Sequence, residues 1–214
     1  MFNYLLNLIY PNVCGICSEI NADSLCKKCK IKIKKMEITK IDSYKNKSFK
    51  NHIYIFKYEK TIRDLLLDYK FNDKVYLYKT FSRIIMENKK ILDFIRKYDI
   101  IIPVPLHRKR FSMRGYNQSY LILEEICNKI KTVNINDNIL KKIKNNLPQS
   151  TLNKKERREN IKNVYIINDI ERIKNKRILL FDDIYTTGNT VNECARILKE
   201  NGSGKIGVFT IAKD

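Results

Sequence analysis

Apolar and polar positions follow two rhythms along this chain. Short, nearly unbroken apolar runs occur at HIYIFKY (52–58), DIIIPVPL (99–106), RILLF (177–181) and KIGVFTIA (205–212). Their length and β-branched content predict buried strands, the second stopped by Pro103 and Pro105. Between them the period lengthens. TIRDLLLDYKF (61–71) sets Ile62, Leu65, Leu66 and Tyr69 on one helical face, and a stretch over roughly 75–95 carries Phe81, Ile84 and Ile85. Further helices are predicted over 116–131 and 190–200, a short strand over 139–143, and an amphipathic N-terminal helix bearing Phe2, Leu5, Leu6 and Ile9. Wholly apolar strands alternating with helices predict an α/β fold, a mostly parallel sheet covered on both faces. In such sheets ligands bind at the carboxyl ends of the strands.

Composition adds little to this until charge is considered. A chain of 214 residues with 43% hydrophobic content has enough apolar material for a core. No apolar run is long enough to span a bilayer, and the start MFNYLLNLIYP lacks the basic leader and small-residue cleavage site of a signal peptide. The expected location is the cytoplasm. The net charge of +20 favours polyanions, although 32 Lys, 33 Ile and 23 Asn are also what A/T-rich coding produces. Arginine is scarcer and clustered, at Arg108, Arg110 and Arg114 and again at Arg157 and Arg158. Its planar fork grips phosphate in a two-pronged way that lysine cannot match.

The cysteines divide into a set of four and two singles. Cys14 and Cys17 form one CxxC pair, Cys26 and Cys29 another, eight residues on. Two such turns complete a tetrahedral thiolate site for a structural Zn²⁺, with no coordination position left for catalysis. Cys127 and Cys194 lie on apolar helical faces and read as core. From Lys27 to Lys50 there are ten lysines and two acids, which reads as a basic tether, open to disorder around 37–50 unless Tyr44 and Phe49 pin it. The expected organisation is an N-terminal helix, four-cysteine finger and tether over 1–50, followed by the main domain over 51–214.

The most chemical stretch is RILLFDDIYTTGNT (177–190). Backbone N–H groups at the start of the 190–200 helix suit a phosphate, Gly188 permits a tight wrap, and threonine hydroxyls add donors. Asp182 and Asp183, at the end of the strand, would repel that phosphate unless a hydroxylated group such as a ribose lay between. An NTPase reading needs a P-loop, and the nearest candidate, NGSGKIG (201–207), follows a helix and precedes a strand, the reverse of the required order.

ILLFDDIYTTGNT resembles the phosphoribosyl-diphosphate (PRPP) motif of type I phosphoribosyltransferases. Together with the four cysteines, YKFND (69–73), PVPLHRKRFSMRGYNQ (103–118) and LPQSTLNKKERRENI (147–161), it resembles the ComF family, which includes competence and GntX-like proteins. The resemblance implies a type I phosphoribosyltransferase fold behind a zinc finger, single-stranded DNA binding in natural DNA uptake, and a helicase-like ATPase of the uptake machinery as a partner. It supplies no enzymatic product. An active PRPP-dependent transferase with an unknown acceptor is the competing reading. By analogy with the fold, Asp182 and Asp183 hold the ribose hydroxyls, and Thr186, Thr187, Gly188, Asn189 and Thr190 bind the 5′-phosphate. The segment His107 to Arg114 becomes the diphosphate loop through Arg108 and Arg114, with Mg²⁺ accompanying PRPP. Arg157, in a mobile flap over Lys154 to Asn160, closes on the diphosphate. Phe111 and Tyr116 are the candidates for base stacking. His107, Asn117 and Gln118 have a plainer reading as residues that order the loop.

Overall fold

The computed structural model describes residues 12–130, 134–144 and 164–214. The described strands are β1 (Lys40–Ser43), β2 (Asn51–Lys57), β3 (Ile100–Pro103), β4 (Leu140–Lys142), β5 (Tyr165–Ile167), β6 (Ile178–Tyr185) and β7 (Ile206–Lys213). The described helices are α1 (Lys27–Met36), α2 (Lys60–Phe71), α3 (Leu77–Glu87), α4 (Lys89–Ile95), α5 (Arg108–Arg114), α6 (Gln118–Lys129) and α7 (Asn189–Glu200). Five of the described strands form the central sheet in the order β1-β2-β7-β6-β3, parallel except for β1, which pairs antiparallel with β2. β4 and β5 form a separate antiparallel hairpin against α7.

Both faces of the sheet are covered, which is why its strands show no polar alternation. Leu179 and Phe181 of β6 pack with Leu65 and Leu66 of α2, Phe81 of α3 and Ile122 of α6. Ile178 and Leu180 point the other way, into a core with Val191, Cys194 and Leu198 of α7. The cysteine module belongs to the first of these cores through Cys14, Cys29 and Ile33. It docks tightly on α3: the Thr80 hydroxyl donates to the Ser24 carbonyl (2.9 Å), and a Cβ at Gly15 would overlap that hydroxyl.

Four expectations change. Strand β6 continues through Asp182 and Asp183 to Tyr185, so the acids lie inside a strand rather than beyond its end, and both line one cleft. The stretch 75–95 is two helices, because the Asn88 side chain accepts from the Ile91 N–H (3.2 Å) and caps a fresh start at α4. The supposed tether contains α1 and β1, and the sheet therefore begins at Lys40. Phe49 is buried with the Tyr44 ring 5.3 Å from its own, so these two aromatics do hold the segment. Residues 108–114, read as a loop, are helix α5, with the His107 ring accepting from the Lys109 N–H (3.2 Å) at its start and Gly115 at φ 77° closing it. The helix expected around Phe2 to Ile9 lies outside the described residues.

Candidate functional site

Helix α7 starts without a side-chain cap, since its N-cap is Gly188 at φ 70°. The Asn189 N–H reaches the Thr187 hydroxyl at 3.4 Å, the N–H groups of Thr190 and Val191 behind it are open to a ligand, and the helix dipole favours an anion there. Thr186, Thr187, Gly188, Asn189 and Thr190 line a small cavity of about 30 Å³ at this point. The phenol of Tyr185 forms its floor. A Cβ at position 188 would overlap that ring, so only glycine fits both the space and the dihedral angle. Tyr185 is itself stacked on the buried His52 at 4.3 Å, and His52 Nε2 lies 2.8 Å from the Thr210 hydroxyl. Burial and the nearby Lys213 push the His52 pKa down to about 3, so this support stays uncharged.

Beside the cradle a cleft of about 330 Å³ opens at the carboxyl ends of β3 and β6. Asp182 and Asp183 both reach it, with different surroundings. Asp183 is 4% exposed and forms an ion pair with Lys70 Nζ at 2.8 Å. For Asp182, burial and then the Asp183 charge push the carboxyl pKa up to about 8, against an opposing pull from Lys70. The described walls of the cleft carry four cations, Lys70, Arg110, Arg114 and Lys142, against these two acids. Such an excess in a concave site attracts an anionic ligand.

The YKF stretch positions the near wall. The Tyr69 hydroxyl donates to the Gln118 carbonyl (2.9 Å), and the Tyr116 hydroxyl donates to the Tyr69 carbonyl (2.9 Å), tying the end of α2 to the α5–α6 turn. Lys70 then faces Asp183, and Phe71, 65% exposed, stands on the rim with the Arg114 guanidinium 5.0 Å above its ring. Asn117 orders the turn: its side-chain oxygen accepts from the Ser119 N–H (3.0 Å) and its amide donates to the Val104 carbonyl (3.2 Å).

The structure brings together Asp182, Asp183, Thr186, Thr190 and Arg114 on the cleft, with Thr187, Gly188 and Asn189 on the adjoining cavity. Arg108 is not in the cleft. It lines a neighbouring groove of about 830 Å³, and Arg110 takes the cleft-facing place. Tyr116 is partly buried and hydrogen-bonded, with its ring 6.0 Å from Tyr69, whereas Phe111 is 50% exposed. Arg157 and the expected flap lie outside the described residues. Sequence reasoning gave no role to Lys70, Phe71 or Lys142, named Arg110 only as part of the phosphate-gripping arginine cluster, and gave Gln118 none beyond loop order or an unspecified ligand contact. The Arg110 and Arg114 spacing of four was a readable signal of one shared helical face.

Away from the cleft, the thiol sulfurs of Cys14, Cys17, Cys26 and Cys29 all lie within 4.8 Å of one another. Cys17 and Cys26 are 3.8 Å apart, the edge of a tetrahedron with metal–sulfur bonds of about 2.3 Å. Burial opposes ionisation of Cys14, yet backbone N–H groups of Cys26, Cys17 and Ile16 hold its thiol down to about 6. Thiolate-stabilising N–H groups, including that of Cys29 toward Cys26 Sγ (3.4 Å), fit a metal-ligating set.

Residues 118–214 match the phosphoribosyl transferase domain model. The chain is 30% identical over 170 residues to Competence protein F of Haemophilus influenzae, spanning 78% of this chain and 74% of that protein. It is 28% identical over 163 residues to Competence protein ComFC of Streptococcus pneumoniae, across 76% and 68% of the two chains. With the DNA utilization protein YhgH of Escherichia coli O157:H7 it shares 29% identity over 115 residues, 54% of this chain and 49% of the relative. Among solved structures, adenine phosphoribosyltransferase from Thermoanaerobacter pseudethanolicus superposes with a TM-score of 0.41 at 14% identity, over 86% of this chain and 99% of that one. Among the described residues no helix is long and apolar enough to cross a membrane. With its mostly parallel sheet, phosphoribosyltransferase domain and N-terminal cluster of four cysteines, the chain belongs to the ComF family.

Proposed function

We propose that this chain is a competence protein that binds single-stranded DNA in the cytoplasm during natural transformation, and that its cleft keeps the capacity to bind PRPP or a related phosphorylated ribose. The observation that carries the reading is the joining, in one cleft, of an uncapped helix N-terminus, two carboxyl groups and four cations. The cradle of Thr186 to Thr190 takes the 5′-phosphate, Asp182 and Asp183 meet the ribose hydroxyls, and Lys70, Arg110 and Arg114 meet a diphosphate. Mg²⁺ bound with the diphosphate would offset its charge beside the carboxyl groups.

Outside the cleft, α5 exposes Arg108 and Lys109 beside Phe111, and the rim exposes Phe71. Cations that follow a backbone and aromatic faces that accept any base are what sequence-tolerant single-strand binding needs. The relatives named for competence and DNA utilization support the same reading. Cys14, Cys17, Cys26 and Cys29 hold a Zn²⁺ that fastens the module to α3 and supplies no open coordination site.

A second reading, PRPP-dependent transfer to an unknown acceptor, is favoured by the intact acidic pair. In that case the bond from the anomeric carbon to the diphosphate breaks, Lys70, Arg110 and Arg114 stabilise the departing oxygens, and the carboxyl groups face the developing positive charge. A ligand screen separates the readings: PRPP with Mg²⁺ and single-stranded oligonucleotides are titrated separately, each then with the other as competitor, and diphosphate release is followed throughout. Saturable binding of both without diphosphate release supports the first reading. Release that depends on an added acceptor supports the second, and binding of neither ligand contradicts both.

A further inference from the structure

We infer that the cleft receives the free 3′ end of a single-stranded DNA rather than any nucleotide along it. This rests on the DNA-binding reading above and adds which part of the strand the site selects. The argument starts from the adjacency of a phosphate cradle and a carboxyl pair, Asp182 lining both the small cavity and the cleft. Carboxyl groups suit a hydroxyl and repel a phosphodiester. An interior deoxynucleotide has no hydroxyl to give, because its 3′ and 5′ oxygens are both esterified. With its 5′ phosphate in the cradle, it would set the next phosphate against the Asp183 carboxylate. A nucleotide at the 5′ end has the same defect. Only the 3′-terminal nucleotide combines a 5′ phosphate for the cradle with a free 3′ hydroxyl for the carboxyl groups.

Gln118 provides an independent observation. It is 3% exposed, lines the cleft, and accepts a hydrogen bond through Oε1 from Arg114 Nη1 at 3.0 Å. Arginine only donates, so the oxygen of this amide must be the atom facing it, and Nε2 is left over. That Nε2 is buried with no partner among the described residues. A buried donor without an acceptor is costly, and one that borders a binding cleft calls for a ligand oxygen. Gln118 and Asp183 thus offer the cleft one donor and one acceptor. A sugar hydroxyl accepts from the first and donates to the second, whereas an ester oxygen can serve the first alone. The volume agrees: about 330 Å³ is at the small end of ligand sites and suits one nucleotide rather than a run.

The test compares four forms of one oligonucleotide by fluorescence anisotropy on the full chain in Mg²⁺: a linear strand ending in a 3′-hydroxyl, the same strand ending in a 3′-phosphate, the same strand with a dideoxy end, and the strand closed into a circle. The 3′-hydroxyl form is expected to bind about tenfold more tightly than the other three, the scale of a hydrogen bond to a charged group. Saturating PRPP should remove that advantage, and in Asp183→Asn the ratio of linear to circular affinity should fall to about one. Equal affinity for all four forms, or a preference set by the 5′ end, overturns the inference and leaves DNA binding standing. Failure of every form to bind overturns the DNA-binding reading and the inference with it.

Discussion

The cradle at the start of α7 and the arginine helix α5 border the same cleft and are built from opposite materials. The cradle is backbone: N–H groups arranged by Gly188, on a tyrosine floor that is stacked on a buried histidine. Helix α5 is side chain: seven residues, none buried, fixed at both ends by a capping histidine and a left-handed glycine. The cradle's geometry is inseparable from the core, so it tolerates almost no change. The helix contributes charge at a distance, which substitution and salt weaken by degrees. A site made of both can keep a precise phosphate seat while its surrounding charge drifts.

The sharpest way to break the comparison is at Gly188. Gly188→Val forces a β-branched side chain into the Tyr185 ring at a left-handed dihedral, so PRPP binding should vanish by calorimetry and Tm should fall by about 5–15 °C. Retained binding would mean the cradle is not the phosphate seat. Next in size is the helix. Replacing Arg110 and Arg114 together by alanine should weaken PRPP about 100-fold, at roughly 1.5–3 kcal/mol for each charge-assisted hydrogen bond. Arg108→Ala, outside the cleft, should change PRPP affinity by less than about threefold. An equal loss at Arg108 would erase the division of the helix into two sides.

Single-stranded DNA should see that helix as one surface. Alanine at Arg108, Arg110 and Arg114 together should flatten the log–log salt dependence of binding by roughly two units. Alanine at Lys89, Lys129 and Lys199 should change it much less, and equal slopes would reduce the positive charge to a diffuse coat.

The smallest effect concerns Asp182. Its carboxyl pKa rises from 3.8 to about 8 on folding, so between those values the folded chain holds a proton that the unfolded chain has released. Stability should therefore fall as pH rises through that window. Asp182→Asn, which cannot ionise, should raise Tm by a few degrees at about pH 8 and change little near pH 4. A variant less stable than wild type at high pH would contradict the buried-proton account.

What was legible in the sequence follows how local each cause is. The apolar runs announced β2, β3, β6 and β7 because burial on both faces leaves no other pattern. The cradle was legible because a strand, small hydroxylated residues, a glycine and a helix are contiguous. The cysteine cluster was legible from spacing alone. Helix α1 was hidden by its lysines, since only Cys29 and Ile33 are buried on it. Lys70 and Asp183 meet across more than a hundred residues, and no local pattern encodes that pairing. Gln118 became informative only once Arg114 was seen to occupy its oxygen. The extent of β6 was misjudged because two acids look like the end of a strand, yet an ion pair and a raised carboxyl pKa let the sheet carry them inside.

Amide hydrogen exchange with and without PRPP and Mg²⁺ tests the central claim most directly, because it reports where the ligand sits as well as whether it binds. The account predicts slowed exchange in two separate segments, 184–192 at the cradle and 108–118 at the arginine helix and its turn, with little change in the cysteine module at 12–36. No protection at millimolar PRPP, or protection confined to regions away from both segments, would contradict it.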